Sequence, residues 1–416
     1  MAFDLIEARA EDAGLSSAGL DAVDAGLQAL IDKGELAGAV TLVARHGRVA
    51  RRSVLGRDNI ETGKPLREDT IFRIYSMTKP VTAVAMMVLY DQGLWKPEDP
   101  IAKFLPAFAN ARVLDGLDAS GAPKTVAADH QPTVGELMTH TAGFSYGFTE
   151  DPAGPLYTLD QLYKGADIWN SGSLAGFAER LGPLPLAYQP GTKWLYSLSM
   201  DIQGAIIEAL TGERLSDFMR TRIFEPLGMV DTGFWVRPEK RERLAVLYRF
   251  SGKRGLVAME RPPMLGDNLS DPAVPSGGGG LVSTLDDYAR FAQMLLNKGE
   301  LGGTRALSPE AVALMSSNHL SEALINGGFG VGHQQIRPGF GYGYNCAVFT
   351  DPEKAGQPVG KGTFQWDGAA GTWFWDDPAN DLILVGMIQR LSQVPDHVNP
   401  QHLTQKLLAG AIIPGG

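Results

Sequence analysis

Ser76 and Lys79 stand three residues apart in Ile74-Tyr75-Ser76-Met77-Thr78-Lys79-Pro80-Val81. A helix that begins near Ser76 carries both side chains to one face within a turn. A serine hydroxyl is a weak nucleophile until a base takes its proton. A lysine can be that base when burial and nearby cations lower its pKa. The free N–H groups of the helix N-terminus point to the same place and suit an oxyanion. Pro80 fits, because a first turn needs no internal N–H bonds. Ser-x-x-Lys is a two-residue pattern that chance supplies about once in a chain of this length. Ser76 is the serine here with lysine at that offset. A lysine base also needs help in returning the proton to a leaving group. Tyr196, in Tyr196-Ser197-Leu198 just after Pro190-Gly191, is the candidate.

The elements that must position these residues are legible in outline. Residues 16–33 show helical periodicity through Leu20, Val23, Leu27, Leu30 and Ile31. Residues 37–45 and 49–55 read as strands joined by a tight turn at His46-Gly47. A helix follows Ser76 to about residue 92, and residues 97–105 form a turn and a short helix. Residues 115–131 read as a polar loop. Thr133 and Glu136 form a capping box that opens a short helix. Residues 148–164 read as a second long loop. Helices are expected over residues 173–181, 200–210 (stopped by Gly212) and 215–223. Residues 276–280 (SGGGG) suit close backbone approach better than an interdomain linker. Thr284 caps a helix over residues 285–296. Residues 341–349, 362–366, 371–375 and 381–389 read as successive strands, and residues 400–411 as a closing helix.

Strands therefore occupy both ends of the chain and helices its middle. The expected fold is α/β (α+β): an antiparallel sheet built from the two ends, flanked by the terminal helices. Residues 1–84 and 281–416 form this lobe, residues 85–280 form a mainly helical inserted lobe, and a site lies in the cleft between them.

Composition narrows the function. The chain has 416 residues, 44% hydrophobic and 20% charged, with a net charge of −10. That is globular composition, and the acidic balance argues against nucleic acid and anionic membranes as partners. No apolar run is long enough to span a bilayer, and residues 1–10 lack a secretory apolar core, so a cytoplasmic protein is expected. Cys346 stands alone in the sequence and reads as a small apolar strand residue. The seven histidines show no His-x-x-x-His spacing, so neither a metal nor a cofactor is expected.

Together, the motifs resemble the serine β-lactamase and penicillin-binding-protein superfamily, and most closely its class C-like branch, the family VIII carboxylesterases. Ser76-Met77-Thr78-Lys79 matches the first motif and Tyr196-Ser197-Leu198 the second. Trp366-Asp367-Gly368, followed by Ala369, matches the third, on a strand edge. Leu137-Met138-Thr139-His140-Thr141-Ala142-Gly143, Pro226-Leu227-Gly228-Met229 and Gly278-Gly279-Gly280-Leu281 agree as flanking stretches. The resemblance runs over about residues 16–411. It implies a β-lactamase-like fold and a small-molecule ester substrate. Ser76 would attack, Lys79 would take its proton, and Tyr196 would help protonate the alkoxide. The backbone N–H groups of Ser76 and Ala369 would form the oxyanion hole. Trp366, Gly368, Leu198, Phe144, Tyr146 and Phe148 would contact substrate.

The departures from the pattern carry information. Trp366 and Asp367 stand where β-lactamases place Lys-Thr, so a cationic anchor for a substrate carboxylate is replaced by an acid. Leu198 replaces an asparagine. Both changes favour neutral, apolar esters over anionic antibiotics and over peptides with a free carboxylate. A rival serine lies in Gly143-Phe144-Ser145-Tyr146-Gly147, a formal nucleophile-elbow motif, with His397 and His402 late enough to complete a triad. Its flanks read as helix and loop rather than the strand and helix such an elbow requires. The competing readings are a transesterase, a β-lactamase or D-amino acid amidase of the same fold, and a catalytically silent binding protein. The last has no need to keep Ser76, Lys79 and Tyr196 together.

Overall fold

The computed structural model describes residues 6–147, 154–252, 254–263, 265–331, 334–391 and 398–414. Strands from the two ends of the chain pair directly. They are β1 (Ile6–Glu7), β2 (Gly38–Arg45), β3 (Arg48–Asn59), β4 (Phe340–Tyr342), β5 (Ala347–Phe349), β6 (Phe364–Asp367), β7 (Trp373–Asp377) and β8 (Leu382–Met387). The sheet is nine-stranded in the order β1-β3-β2-β8-β7-β6-β5-β4, with Lys64–Pro65 beside β3. The β2–β8 pair joins the ends, with Leu384 opposite Val43 and Val385 opposite Leu42.

Alternation along the strands feeds two cores, because successive side chains point to opposite faces. Val40, Leu42 and Ala44 of β2, with Ile383, Val385 and Met387 of β8, enter the larger core. Ala39 and Val43, with Leu382 and Leu384, enter the smaller one. Helices α1 (Ser17–Asp32), α2 (Thr78–Asp91), α3 (Ser199–Thr211), α4 (Leu285–Leu296) and α5 (Pro400–Ala409) complete the layers. Leu20, Val23, Leu27 and Leu30 of α1 and Leu408 of α5 close the smaller core over Trp373 and Trp375. Leu285, Tyr288 and Phe291 of α4 and the apolar residues of α2 fill the larger one, which runs on to Ile206 of α3 and Phe218. Each fully buried side chain of this size stabilises the fold by about 1.5–3 kcal/mol. The terminal helices thus cover one face, and α4 covers the other.

Local capping chemistry sets the helix starts. Thr284 accepts the Asp287 N–H, and Thr133 and Glu136 complete the reciprocal capping box. His46 and Gly47 both take left-handed φ (54° and 69°) in the β2–β3 turn, and His46 Nδ1 pairs with Asp381 Oδ2 at 2.8 Å. Cys346 is buried.

Four expectations need correction. The polar stretch 115–131 is not one loop: Arg112–Leu117 pairs with Pro123–Ala127 as an exposed hairpin. Residues 148–164 contain the helix Pro155–Gly165, started by a proline in its first turn; residues 148–153 lie outside the described residues. Residues 341–349 form two strands, because Asn345 takes φ 60° and turns the chain between β4 and β5. The sheet is not wholly antiparallel, since β1 joins β3 in parallel. No helix among the described residues is long and apolar enough to cross a membrane.

Candidate active site

Ser76 lies in the short 3-10 helix Tyr75–Met77, at the entry to α2. Tyr75 takes φ 42°, a conformation that L side chains rarely adopt. This sharp bend turns the chain from Phe72–Arg73, a strand paired with Val282–Ser283, directly into the helix. One turn later, α2 carries Lys79 into full burial.

Two side chains converge on the Ser76 hydroxyl. Lys79 Nζ lies 3.1 Å from Ser76 Oγ, and Tyr196 Oη donates to the same oxygen at 2.6 Å. Lys79 Nζ also donates to the Gly278 carbonyl at 2.6 Å and to Tyr146 Oη at 3.2 Å. It sits 4.5 Å from the Tyr196 ring centroid. The residues singled out at 76, 79 and 196 are therefore brought together, and Tyr146 joins them as a hydrogen-bond partner of Lys79.

The SGGGG stretch makes this approach possible. Thr82 Oγ1 donates to the Gly277 carbonyl at 2.7 Å, and the Leu281 N–H donates to Thr78 Oγ1 at 3.1 Å. A β-carbon on Gly278 would stand 2.4 Å from Tyr146 Oη, so a side chain there would force Tyr146 to shift. Close backbone approach, rather than a linker, is what these glycines provide.

Electrostatics follow from burial. Loss of solvent pushes the Lys79 amine down from 10.5 to about 7; Asp201 and Asp367 oppose the shift without cancelling it. Burial pushes the Tyr196 phenol above its ordinary value, against the hydrogen bond to Ser76, and raises the Tyr146 phenol as well. Asp201, buried on α3, accepts from Ser276 Oγ at 2.6 Å and from the Gly278 N–H at 3.1 Å. Its carboxyl is raised, chiefly by desolvation. A buried lysine with a pKa near neutrality and a neighbouring phenol form a proton-transfer pair around a serine.

The third motif closes the site from the sheet. Gly368 sits against the Ile74 carbonyl, where a β-carbon would stand 2.3 Å away, and Thr372 Oγ1 donates to that carbonyl at 3.3 Å. Among the described residues the Ala369 N–H has no intramolecular acceptor. Ser76, Tyr146, Tyr196, Trp366, Gly368 and Ala369 line a cleft of about 1130 Å³. Trp169, Phe234, Leu265 and Val274 add apolar wall.

Two expected contacts fall elsewhere. Phe144 is buried in the core, edge-on to Phe108 at 5.7 Å, and Leu198 is 1% exposed; neither lines the cleft. Phe148 lies outside the described residues. The rival Ser145 is buried, and its Oγ accepts the Gly147 N–H at 2.8 Å in a local turn. His402 lies in the first turn of α5, its backbone N–H on Asn399 Oδ1. His397 is outside the described residues. Asp201 was missed, although an acid among Met200, Ile202, Ala205 and Ile206 is a readable sign, since a buried aspartate requires partners. Among the described residues no three His, Cys, Asp or Glu side chains gather as metal ligands.

A serine at the mouth of a helix, a lysine one turn on, and a sheet edge opposite define the serine β-lactamase and penicillin-binding-protein class. The chain belongs to the Beta-lactamase family, whose model matches residues 23–408. Among curated proteins it is 37% identical to an uncharacterized protein of Mycobacterium tuberculosis, over 89% of this chain and 90% of that one. It is 36% identical to Esterase EstB of Burkholderia gladioli, over 88% of each chain. Among solved structures, EstCE1, described as a hydrolase with promiscuous acyltransferase activity, superposes with a TM-score of 0.76 at 26% identity. That match covers 94% of this chain and 98% of EstCE1.

Proposed function

We propose that this protein is a cytoplasmic serine carboxylesterase of the family VIII type, acting on short- to medium-chain esters through an acyl-enzyme. The observation that carries the reading is the convergence of Lys79 Nζ and Tyr196 Oη on Ser76 Oγ, at 3.1 and 2.6 Å, at the wall of an apolar cleft. The likeness to Esterase EstB supports it.

Neutral Lys79 takes the Ser76 proton as Oγ attacks the ester carbonyl. The oxyanion of the tetrahedral intermediate faces the N–H groups of Ser76 and Ala369, each such donor being worth about 3–4 kcal/mol. The proton passes through the Lys79–Tyr196 pair to the departing alkoxide as the C–O bond breaks. A water then attacks the acyl-enzyme, gives its proton to the same pair, and releases the acid and Ser76. Trp366 and Asp367, in place of a cation, disfavour anionic β-lactams and peptide carboxylates. Transfer of the acyl group to an alcohol instead of water is the second reading, favoured by the likeness to EstCE1. A division into lobes 1–84 with 281–416 and 85–280 goes with this reading, Ser76 and Trp366 coming from the first and Tyr146 and Tyr196 from the second.

Hydrolysis of p-nitrophenyl acetate and butyrate by wild type, Ser76→Ala and Ser145→Ala tests it. Ser76→Ala is expected to lose at least about 10⁴-fold in kcat, and Ser145→Ala to stay near wild type. An inactive Ser145→Ala beside an active Ser76→Ala would overturn the assignment.

A further inference from the structure

His140 lies outside the serine, lysine and tyrosine of the proposed mechanism, yet it grips the segment that carries Tyr196 from both sides. The Leu195 N–H donates to the His140 carbonyl at 2.8 Å. The Ser197 N–H donates to His140 Nδ1 at 3.2 Å, and Ser197 Oγ lies 2.9 Å from the same nitrogen. Ser197 Oγ is in turn 2.7 Å from Ser199 Oγ, at the start of α3. The residues before and after Tyr196 are thus fastened to one histidine.

The imidazole also supports the phenol ring. Its centroid is 4.9 Å from that of Tyr196, with Trp194 at 5.4 Å and Tyr342 at 5.6 Å around it. The side chain is 1% exposed, and its backbone holds φ 59°. Burial, aided by the Lys79 charge, keeps the ring neutral by lowering its pKa well below 6.5. A backbone N–H aimed at Nδ1 makes that nitrogen an acceptor and leaves the ring proton on Nε2. The His140 φ is the left-handed position closing the helix Val134–Met138, with the His140 N–H on the Leu137 carbonyl at 3.4 Å and the Thr141 N–H on the Glu136 carbonyl at 2.9 Å. The helix end thus fixes the His140 backbone, and its imidazole is left to contact the Tyr196 segment and its aromatic surround.

We propose that His140 is the positioning residue for Tyr196, acting as a neutral acceptor that fixes the phenol's 2.6 Å approach to Ser76 Oγ. The inference rests on the esterase reading and on Tyr196 protonating the leaving alkoxide. Its function is geometric: displacement of a reacting group by about 1 Å costs on the order of 100-fold in rate.

The test compares His140→Asn, His140→Gln and His140→Leu, each alone and with Tyr196→Phe, on ethyl butyrate and p-nitrophenyl butyrate. Asparagine places its carbonyl oxygen where Nδ1 stands, while glutamine places it one bond further out. Expected on ethyl butyrate is a kcat loss of about 100-fold for Gln and Leu at little changed KM, with most activity retained by Asn. The loss is expected to be smaller on p-nitrophenyl butyrate, whose leaving group departs without a proton. In the Tyr196→Phe background, His140→Gln is expected to cost nothing further. Equal losses on both esters, additivity with Tyr196→Phe, or Gln matching Asn would overturn the inference. Failure of Tyr196→Phe itself to reduce ester turnover would instead overturn the underlying reading. If Leu does not fold, the Asn and Gln pair still decides.

Discussion

At the scale of the residue, the proposed mechanism turns on Lys79. An ordinary lysine is protonated at neutral pH and cannot take a proton from serine. Burial, opposed by Asp201 and Asp367, brings this one to about 7. In the proposed mechanism the neutral amine is the base, so kcat/KM is expected to rise with pH through about 7 and then level. An unperturbed lysine would keep the limb climbing to about 10.4. Initial rates on p-nitrophenyl butyrate between pH 5 and 10 check this, and a profile still rising at the upper end would remove burial as the activating device. Tyr75, immediately before Ser76, shows where strain is placed: its φ of 42° lets the chain turn from a strand into the helix within a residue. Such a conformation costs about 1–3 kcal/mol and is held by surrounding structure; here Ile74 is tied to Leu281 and Thr372.

At the scale of the element, the glycine stretch 277–280 couples α2 to α3. Gly278 donates its N–H to Asp201 of α3 and accepts from Lys79 of α2. A β-carbon there would meet Tyr146 Oη at 2.4 Å and Asp201 Oδ2 at 2.9 Å. Gly278→Ala is expected to cost about 1–3 kcal/mol in stability through overpacking and about 100-fold in kcat by moving the Lys79 acceptor. Gly327→Ala, in open space, is the control expected to change neither. Urea melts and steady-state kinetics on both variants check it, and unaltered kcat in Gly278→Ala would separate the glycine from the site. Elements with local chemistry were legible: Thr133 with Glu136, and Thr284, announce their helices within four residues. The hairpin Arg112–Leu117 with Pro123–Ala127 was not, because exposed polar strands are fixed by pairing rather than by a buried face. In the site, Ser76 and Lys79 were readable because one helical turn joins them. The pairings of Lys79 with Tyr146 and of His140 with Ser197 were not, because they span 67 and 57 residues and no periodicity encodes them.

At the scale of the whole molecule, the sheet made from both chain ends fixes the third motif against the Ser76 bend, and the packed helices keep Lys79 dry. Folding and the proposed catalysis therefore meet in one buried amine, with a thermodynamic consequence. In the unfolded chain Lys79 titrates near 10.5, and in the folded protein near 7. Between these values the unfolded state binds a proton that the folded state does not, so stability rises with pH in that window. Below about 7 both states are protonated, and the full penalty of the buried charge remains. Buried acids act in the opposite sense: Asp376, raised by desolvation, makes folding less favourable as pH climbs above its unfolded value. The Lys79 contribution is isolated by difference against Lys79→Met, which keeps length and apolar volume and removes the titration. From pH 7.5 to 9.5 the wild type is expected to gain about 2 kcal/mol relative to Lys79→Met. Urea unfolding of both proteins at the two pH values measures it. Parallel pH dependence in the two would mean that Lys79 is solvated and charged in the folded state, and the activation of Ser76 by a dry lysine would fall with it.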